Sequence, residues 1–287
     1  MAAVTRPVRA SLKILIPLSV VMVFFAGVGL VGVPAFLHGQ DFPLFTTMRL
    51  PDTGEHFLSQ RRETAPFWLY QGLHTIPAIT WSILMPLQHM DSFRKKYPEF
   101  HRTSGYFILS GSLVLSLSGL SFLILKHAHT HADVFHLHDL NGWSAFKWPT
   151  FELSLYLLAP PYWFSLYKTA VTARAKNFVN HRKWAVLHTI TASIISLERI
   201  SLLGSLAFGW ALTILPRDKV HEFFQVDQTV SAMAAAELDM FAFINVFAFG
   251  GAMAWMFYEF RRAGYLKEVR DYLSSTAPSQ TTAKKMI

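Results

Sequence analysis

The chain contains no cysteine. Disulfides, thiolate metal sites and cysteine nucleophiles are therefore excluded, although this says nothing about which compartment the loops face. Charge is scarce too: Asp, Glu, Lys and Arg make up 15% of the 287 residues, against 52% hydrophobic. Several catalytic signatures are missing. No G-x-x-x-x-G-K-S/T phosphate loop and no H-E-x-x-H zinc helix occurs. No G-x-S-x-G serine elbow occurs either. The lack of an aspartate-rich D-D-x-x-D run argues against prenyl transfer on a magnesium diphosphate. A cyclase or isomerase built from isolated carboxylates and histidines stays open.

What the chain does hold is apolar sequence. A mean hydropathy of +0.30 is the profile of a polytopic membrane protein. The formal charge of +8 and pI near 9.7 would suit a nucleic-acid binder. Here, however, the basic residues sit in loops between apolar runs, which topology explains better. The expected partner is the lipid bilayer, with no nucleic acid.

Six apolar runs have the length a bilayer of ~30 Å requires. They cover about Ile14–Phe36, Phe67–Leu87, Tyr106–Leu125, Phe151–Val171, a run from Trp184, and Ala234–Phe257. Pro160 and Pro161 are expected to kink the fourth. The fifth pattern continues to Leu215, too long for one upright span, so Gly204 or Gly209 is expected to end it. The expected fold class is all-α: a polytopic membrane protein of about six transmembrane helices with a four-helix core. Residues 1–13 form the N-terminus, 14–257 the membrane domain with its core at 67–203, and 258–287 a partly disordered tail.

Loop charge orients the array. Three Lys/Arg precede the first run, four lie in each of 88–105 and 172–183, and six follow residue 257. The alternate loops carry three in 37–65 and two each in 126–150 and 216–233. The excess puts both termini in the cytoplasm, consistent with an even number of spans. Trp68, Trp148 and Trp210 then mark one interface, and Trp184 and Trp255 the other.

The stretch Asn180–Ile200 organises the rest. At ~100° per residue, His181, His188 and Arg199 fall on one helical face. An arginine in lipid costs about 3 kcal/mol or more, so this stripe is expected to face other helices or a cavity. The loops RKKYPEFHR (94–102) and RAKNFVNHR (174–182) share the pattern R-x-K-x4-H-R. Either spans two and three repeat as spans four and five, or basic cytoplasmic loops match by chance. A duplication would make His101 and His181 equivalent.

The order GLHTIPAITWSILMPLQ, an Arg, HRTSGY, then HRKW-x3-H and a membrane Arg resembles a family of membrane proteins whose domain has no assigned function. The matching positions are His74, Gln88, Arg94, His101, Arg102, Gly105, His181, Trp184 and Arg199. The resemblance spans roughly Phe67–Leu203 and implies a four-helix core with histidines near the membrane faces, but no reaction. A looser, architectural similarity is to b-type cytochrome and ferric-reductase membrane domains.

Three candidate sites follow. At the cytoplasmic mouth, His101, His181 and His188 could ligate a haem b iron, with Arg94 and Arg102 pairing its propionates. The same cluster, with Gln88 and Arg182, could hold an anionic lipid-like small molecule, or be a solvated, topology-setting loop set. In the outer half, His74, Glu237, Asp239 and Arg199 form a candidate catalytic group. Arg199 is expected to pair with Glu237 or Asp239, either as an acid/base pocket or as a structural bridge between spans five and six. Third, His127, His129, His131, His136 and His138 have the alternation of a Zn, Cu or Ni tract, or of a pH-sensitive loop. Three function classes remain: a haem-b redox protein, a membrane enzyme on a lipid-like or terpenoid substrate, and a transporter or lipid-binding protein.

Overall fold

A computed structural model describes residues 7–31, 60–128, 130–140 and 143–265. The expected tail disorder and His129 lie outside the described residues, as does the side chain of Glu237. The regular structure among the described residues is helical apart from one small hairpin. The first helix, α1 (Leu12–Val31), is apolar on all sides. A short α2 (Gln60–Thr64) leads through Pro66 into a π-helical segment, Trp68–Thr75, which runs on into α3 (Ile76–His89). After α4 (Asp91–Lys96) comes α5 (Pro98–Ile124), opened by a proline whose missing N–H is harmless in the first turn.

Strands β1 (Leu137–Leu140) and β2 (Trp143–Pro149) pair antiparallel within the histidine-rich stretch. Next, α6 (Phe151–Arg174) starts at Thr150, whose hydroxyl accepts from the Leu153 N–H at 3.1 Å. Pro160 and Pro161 lie inside this single helix. Lys176 takes a left-handed turn (φ 54°), and Asn177 caps α7 (Phe178–Ala192). A turn at Ser193 separates α7 from α8 (Ile194–Leu212). Thr189, Thr191 and Ser193 each bond a carbonyl four residues back, a pattern that bends helices. Finally come α9 (Arg217–Phe224) and α10 (Val230–Arg262). The helix α8 runs past Gly204 and Gly209 and ends at Leu212, three residues short of the end of the apolar pattern.

Among the described residues, four segments are long and apolar enough to cross a membrane: Leu12–Val31, Pro98–Ile124, Phe178–Leu212 and Leu238–Arg262. The helix α3 packs between α1 and α5, α7 lies along α6, and α10 along α8. The main core joins Leu15 and Leu18 of α1, Trp81 and Met85 of α3, Ile108 of α5, Val186 and Ile190 of α7, and Ala248, Ala252 and Trp255 of α10. The ends of the bundle meet: Glu259 of α10 accepts from the Ser11 backbone N–H, and Arg262 donates to the Arg9 carbonyl. The outer surface is apolar, with Phe24, Phe107 and Phe247 exposed on three different helices.

Two expected interfacial tryptophans are buried instead. Trp148, on β2 of the hairpin, is buried and donates to the Asp239 carbonyl at 3.2 Å. Trp255 donates to Glu259 at 2.9 Å. Indole N–H groups near helix ends find partners within the protein here, while Trp68 and Trp210 stay exposed.

Candidate functional site

Pro77 lacks an N–H, so the carbonyl of Leu73, four residues earlier, loses its helical donor. The Ser118 hydroxyl of α5 lies 3.3 Å from that carbonyl and 2.9 Å from His74 Nδ1. It also lies 3.1 Å from the Leu115 carbonyl. With the hydroxyl proton on either carbonyl, His74 Nδ1 carries the imidazole proton and Nε2 presents a lone pair. The wide π-helical turn ends where the Ile76 N–H reaches the Gln71 carbonyl, so His74 sits in an irregular segment of a kind frequent at functional sites. Close packing holds the segment: a Cβ on Gly29 of α1 would lie 2.9 Å from the Tyr70 hydroxyl.

His74 lines a cavity of about 170 Å³. Its walls come from α3, α5, α6, α7 and α8, with Met22 of α1 at one side. Most of the lining is apolar: Ala78, Leu115, Leu120, Leu155, Leu158 and Ile195. Arg61, His74, Glu198 and Arg199 bring charge and polarity. Chain order puts this group toward one end, because Arg61 precedes the π-helical segment and Arg199 lies two turns beyond Ala192. Trp81, Ser82, Tyr162 and Ala192 form the other end.

Glu198 is fully buried and pairs with Arg199 Nη1 at 3.2 Å. Its second oxygen has no hydrogen-bond partner among the described residues. The Arg199 guanidinium also lies 5.9 Å from the Phe25 ring. Removal from water and the neighbouring Arg199 lower the pKa of Arg61, while Tyr70 and Glu198 act in the opposite sense. The arrangement can donate hydrogen bonds from two guanidiniums and accept one at His74 Nε2.

The expected outer-half group is brought together only in part. His74 and Arg199 share the cavity, but Asp239 does not line it. Asp239 lies 2.8 Å from His138 Nδ1 on β1. Arg199 takes its own neighbour, Glu198, as partner rather than Glu237 or Asp239 as expected, because Asp239 faces the hairpin. Arg61 and Tyr162 were not picked out by sequence reasoning as site residues. Arg61 carried one legible signal: it lies in a loop that the charge count assigns to the outer, arginine-poor side, directly before a span.

At the opposite end, His188 is buried with Nε2 3.0 Å from Ser112 Oγ and Nδ1 3.4 Å from Ser165 Oγ. His181 Nδ1 lies 3.0 Å from the Thr169 carbonyl. His101 and His181 each occupy the fourth residue of their helix, α5 and α7. His101 Nδ1 is buried without a hydrogen-bond partner among the described residues. Gln88 binds the His101 carbonyl and Ser104, while Arg94 pairs with Asp91 at 2.8 Å. Asp91 also pairs with Arg9, and Arg102 is exposed. A haem iron requires a free imidazole nitrogen. Both nitrogens of His188 are engaged, so it has none free for an iron, and none of the three histidines lines the cavity.

In the histidine-rich stretch, the rings of His131 and His136 stack at 4.3 Å, and His138 meets His136 edge-on at 5.0 Å. Burial and the neighbouring His136 and His138 lower the pKa of His131, against Asp133 and Asp239, which raise it. Among the described residues no group of three His, Asp or Glu side chains has the geometry to hold a metal ion. His127 contributes its carbonyl to Thr64. No family model, no curated protein and no solved structure matches this chain.

Proposed function

We propose that the chain is a six-span membrane protein with both termini in the cytoplasm, which holds a hydrophobic, lipid-like small molecule in the cavity beside His74. The observation that carries this reading is the cavity itself, apolar along its walls and charged at one end. Binding sites for small apolar molecules combine such walls with a few convergent polar groups.

The six-span count rests on α3 and α6 joining the four long apolar helices. Both turn large apolar side chains outward: Ile76 and Ile83 on α3, Leu157 and Phe164 on α6. The contact between Ser11 and Glu259 fits an even number of crossings. The cysteine-free chain gives a direct test. Single Lys126→Cys and Lys176→Cys variants are labelled in sealed vesicles with a membrane-impermeant maleimide. Labelling of the two from opposite sides, with Lys176→Cys cytoplasmic, supports the topology; labelling from the same side overturns it.

The cavity is tested by extracting small molecules that copurify with the protein and identifying them by mass spectrometry. Gly119→Leu and Ala159→Phe both fill the cavity. A hydrophobic compound held stoichiometrically by the unmodified protein, and lost from both filled variants, is the expected result. Equal retention by the filled variants would remove this reading.

A further inference from the structure

Among the described residues, the charges at the polar end of the cavity do not cancel. Arg61 and Arg199 supply two guanidiniums and Glu198 one carboxylate. The Arg61 side chain has no hydrogen bond or ion pair among the described residues. Arg199 gives Glu198 one bond at 3.2 Å and keeps its other N–H donors. Among the described residues, these two like charges and one buried counter-charge leave a net cation at the head of an apolar space. A cation removed from water is costly unless it is paired. A guanidinium presents a planar fork that matches a carboxylate bidentately.

The size of the cavity limits the ligand. At about 170 Å³ it falls below the volume of a drug-sized site, roughly 300–1,000 Å³. It has room for a head group and the adjoining part of one chain, not for a two-chain lipid. Glu198 sets an upper limit on ligand charge, since a second negative charge on the head would face an already buried carboxylate.

This inference rests on the reading that the cavity holds a hydrophobic molecule, and adds the chemistry of its head. We propose that the cavity recognises a single-chain amphiphile with a monoanionic carboxylate head, held between Arg61 and Arg199, with its chain against Leu115, Leu158 and Ile195. His74 Nε2, with its lone pair facing the same space, disfavours a close approach of the bare carboxylate and turns the head toward the arginines.

The test uses the full-length protein in a non-ionic detergent, with native mass spectrometry counting bound ligand. Three probes share one chain length: decanoate, decanol and decyl phosphate. Decanoate is expected to bind at least ~10-fold tighter than decanol, the size of one charge-assisted contact, and tighter than decyl phosphate. Arg61→Met should lose ~10-fold for decanoate and leave decanol unchanged, with Arg61→Lys between the two. If Arg61→Met does not fold, Arg61→Lys and the comparison of head groups on the unmodified chain still decide. Equal binding of decanoate and decanol would overturn the carboxylate head while leaving the apolar cavity reading in place. Tightest binding of decyl phosphate, or an Arg61→Met chain that binds decanoate normally, would also overturn it. Failure of all three probes to bind would bring down both readings together.

Discussion

The backbone N–H of Ser11 donates to Glu259 Oε1 at 2.6 Å, so the start of α1 is tied to the end of α10. Glu259 is almost fully buried and also receives Trp255 Nε1 at 2.9 Å and faces Arg262 at 2.7 Å. Removing the carboxylate strands a backbone donor, an indole N–H and a cation together. Glu259→Ala is expected to cost about 2–4 kcal/mol, because buried donors are left unpaired. Glu259→Gln, which keeps an acceptor, should cost less. Thermal unfolding in detergent measures the loss, and trypsin cleavage at Arg9 reports release of the N-terminal segment. A Glu259→Ala protein with unchanged Tm and unchanged cleavage would contradict the clasp.

Glu198 and Arg199 form the buried pair at the cavity. Taking away only one partner leaves the other charged and desolvated. Arg199→Met is expected to destabilise by about 3–5 kcal/mol, whereas Glu198→Gln combined with Arg199→Met should recover much of that. A double-mutant cycle on unfolding free energies reads the coupling directly. Simple additivity of the two changes would mean that the pair does not act as a unit.

Ser112 is fully buried, and its hydroxyl lies 3.0 Å from both Trp81 Nε1 and His188 Nε2. It links α3, α5 and α7 at the level below the cavity. Ser112→Ala leaves two buried ring nitrogens without a partner and is expected to cost about 2–4 kcal/mol. Thr80→Ala is the control: that hydroxyl bonds only the Ile76 carbonyl of its own helix at an exposed position, and its loss should stay within ~0.5 kcal/mol. Comparable Tm losses for the two variants would show that the hydroxyl at Ser112 has no special weight.

Acid should loosen the hairpin through His131. Its folded pKa lies below the ordinary value of ~6.5, so the unfolded form binds the proton more readily. The stabilisation is therefore full above the ordinary pKa and is lost as pH falls from there toward the folded value. The Asp239 carboxylate works the other way, since it raises the pKa of His131. Hydrogen exchange over residues 137–149, corrected for intrinsic rates, is expected to speed up between pH 7.5 and 5. The acceleration should be larger in Asp239→Asn, where the carboxylate that raises the His131 pKa is gone, and smaller in His131→Ala. An unchanged exchange profile across that range would rule out the effect.

Composition and period alone determined the class of this protein. Long apolar runs with few charges have to form helices that satisfy their own backbone groups, and His181, His188 and Arg199 have to turn inward because lipid offers them nothing. Those inferences need only the local spacing of residues, and Pro98, Thr150 and Asn177 mark three helix starts in the same local way. Partner choice was decided by the tertiary structure. Arg199 had several carboxylates within plausible reach along the chain, and only the packing of the hairpin onto α10 takes Asp239 away to His138. Whether Arg61 belonged to a loop or to the cavity depended on where α2 packs against the π-helical segment. His188 looked like a ligand by residue type and depth, yet Ser112 and Ser165 from two other helices engage both of its nitrogens. A hydrogen bond is made between groups brought together in space, so the spacing that sets a helix face does not name the atom opposite it.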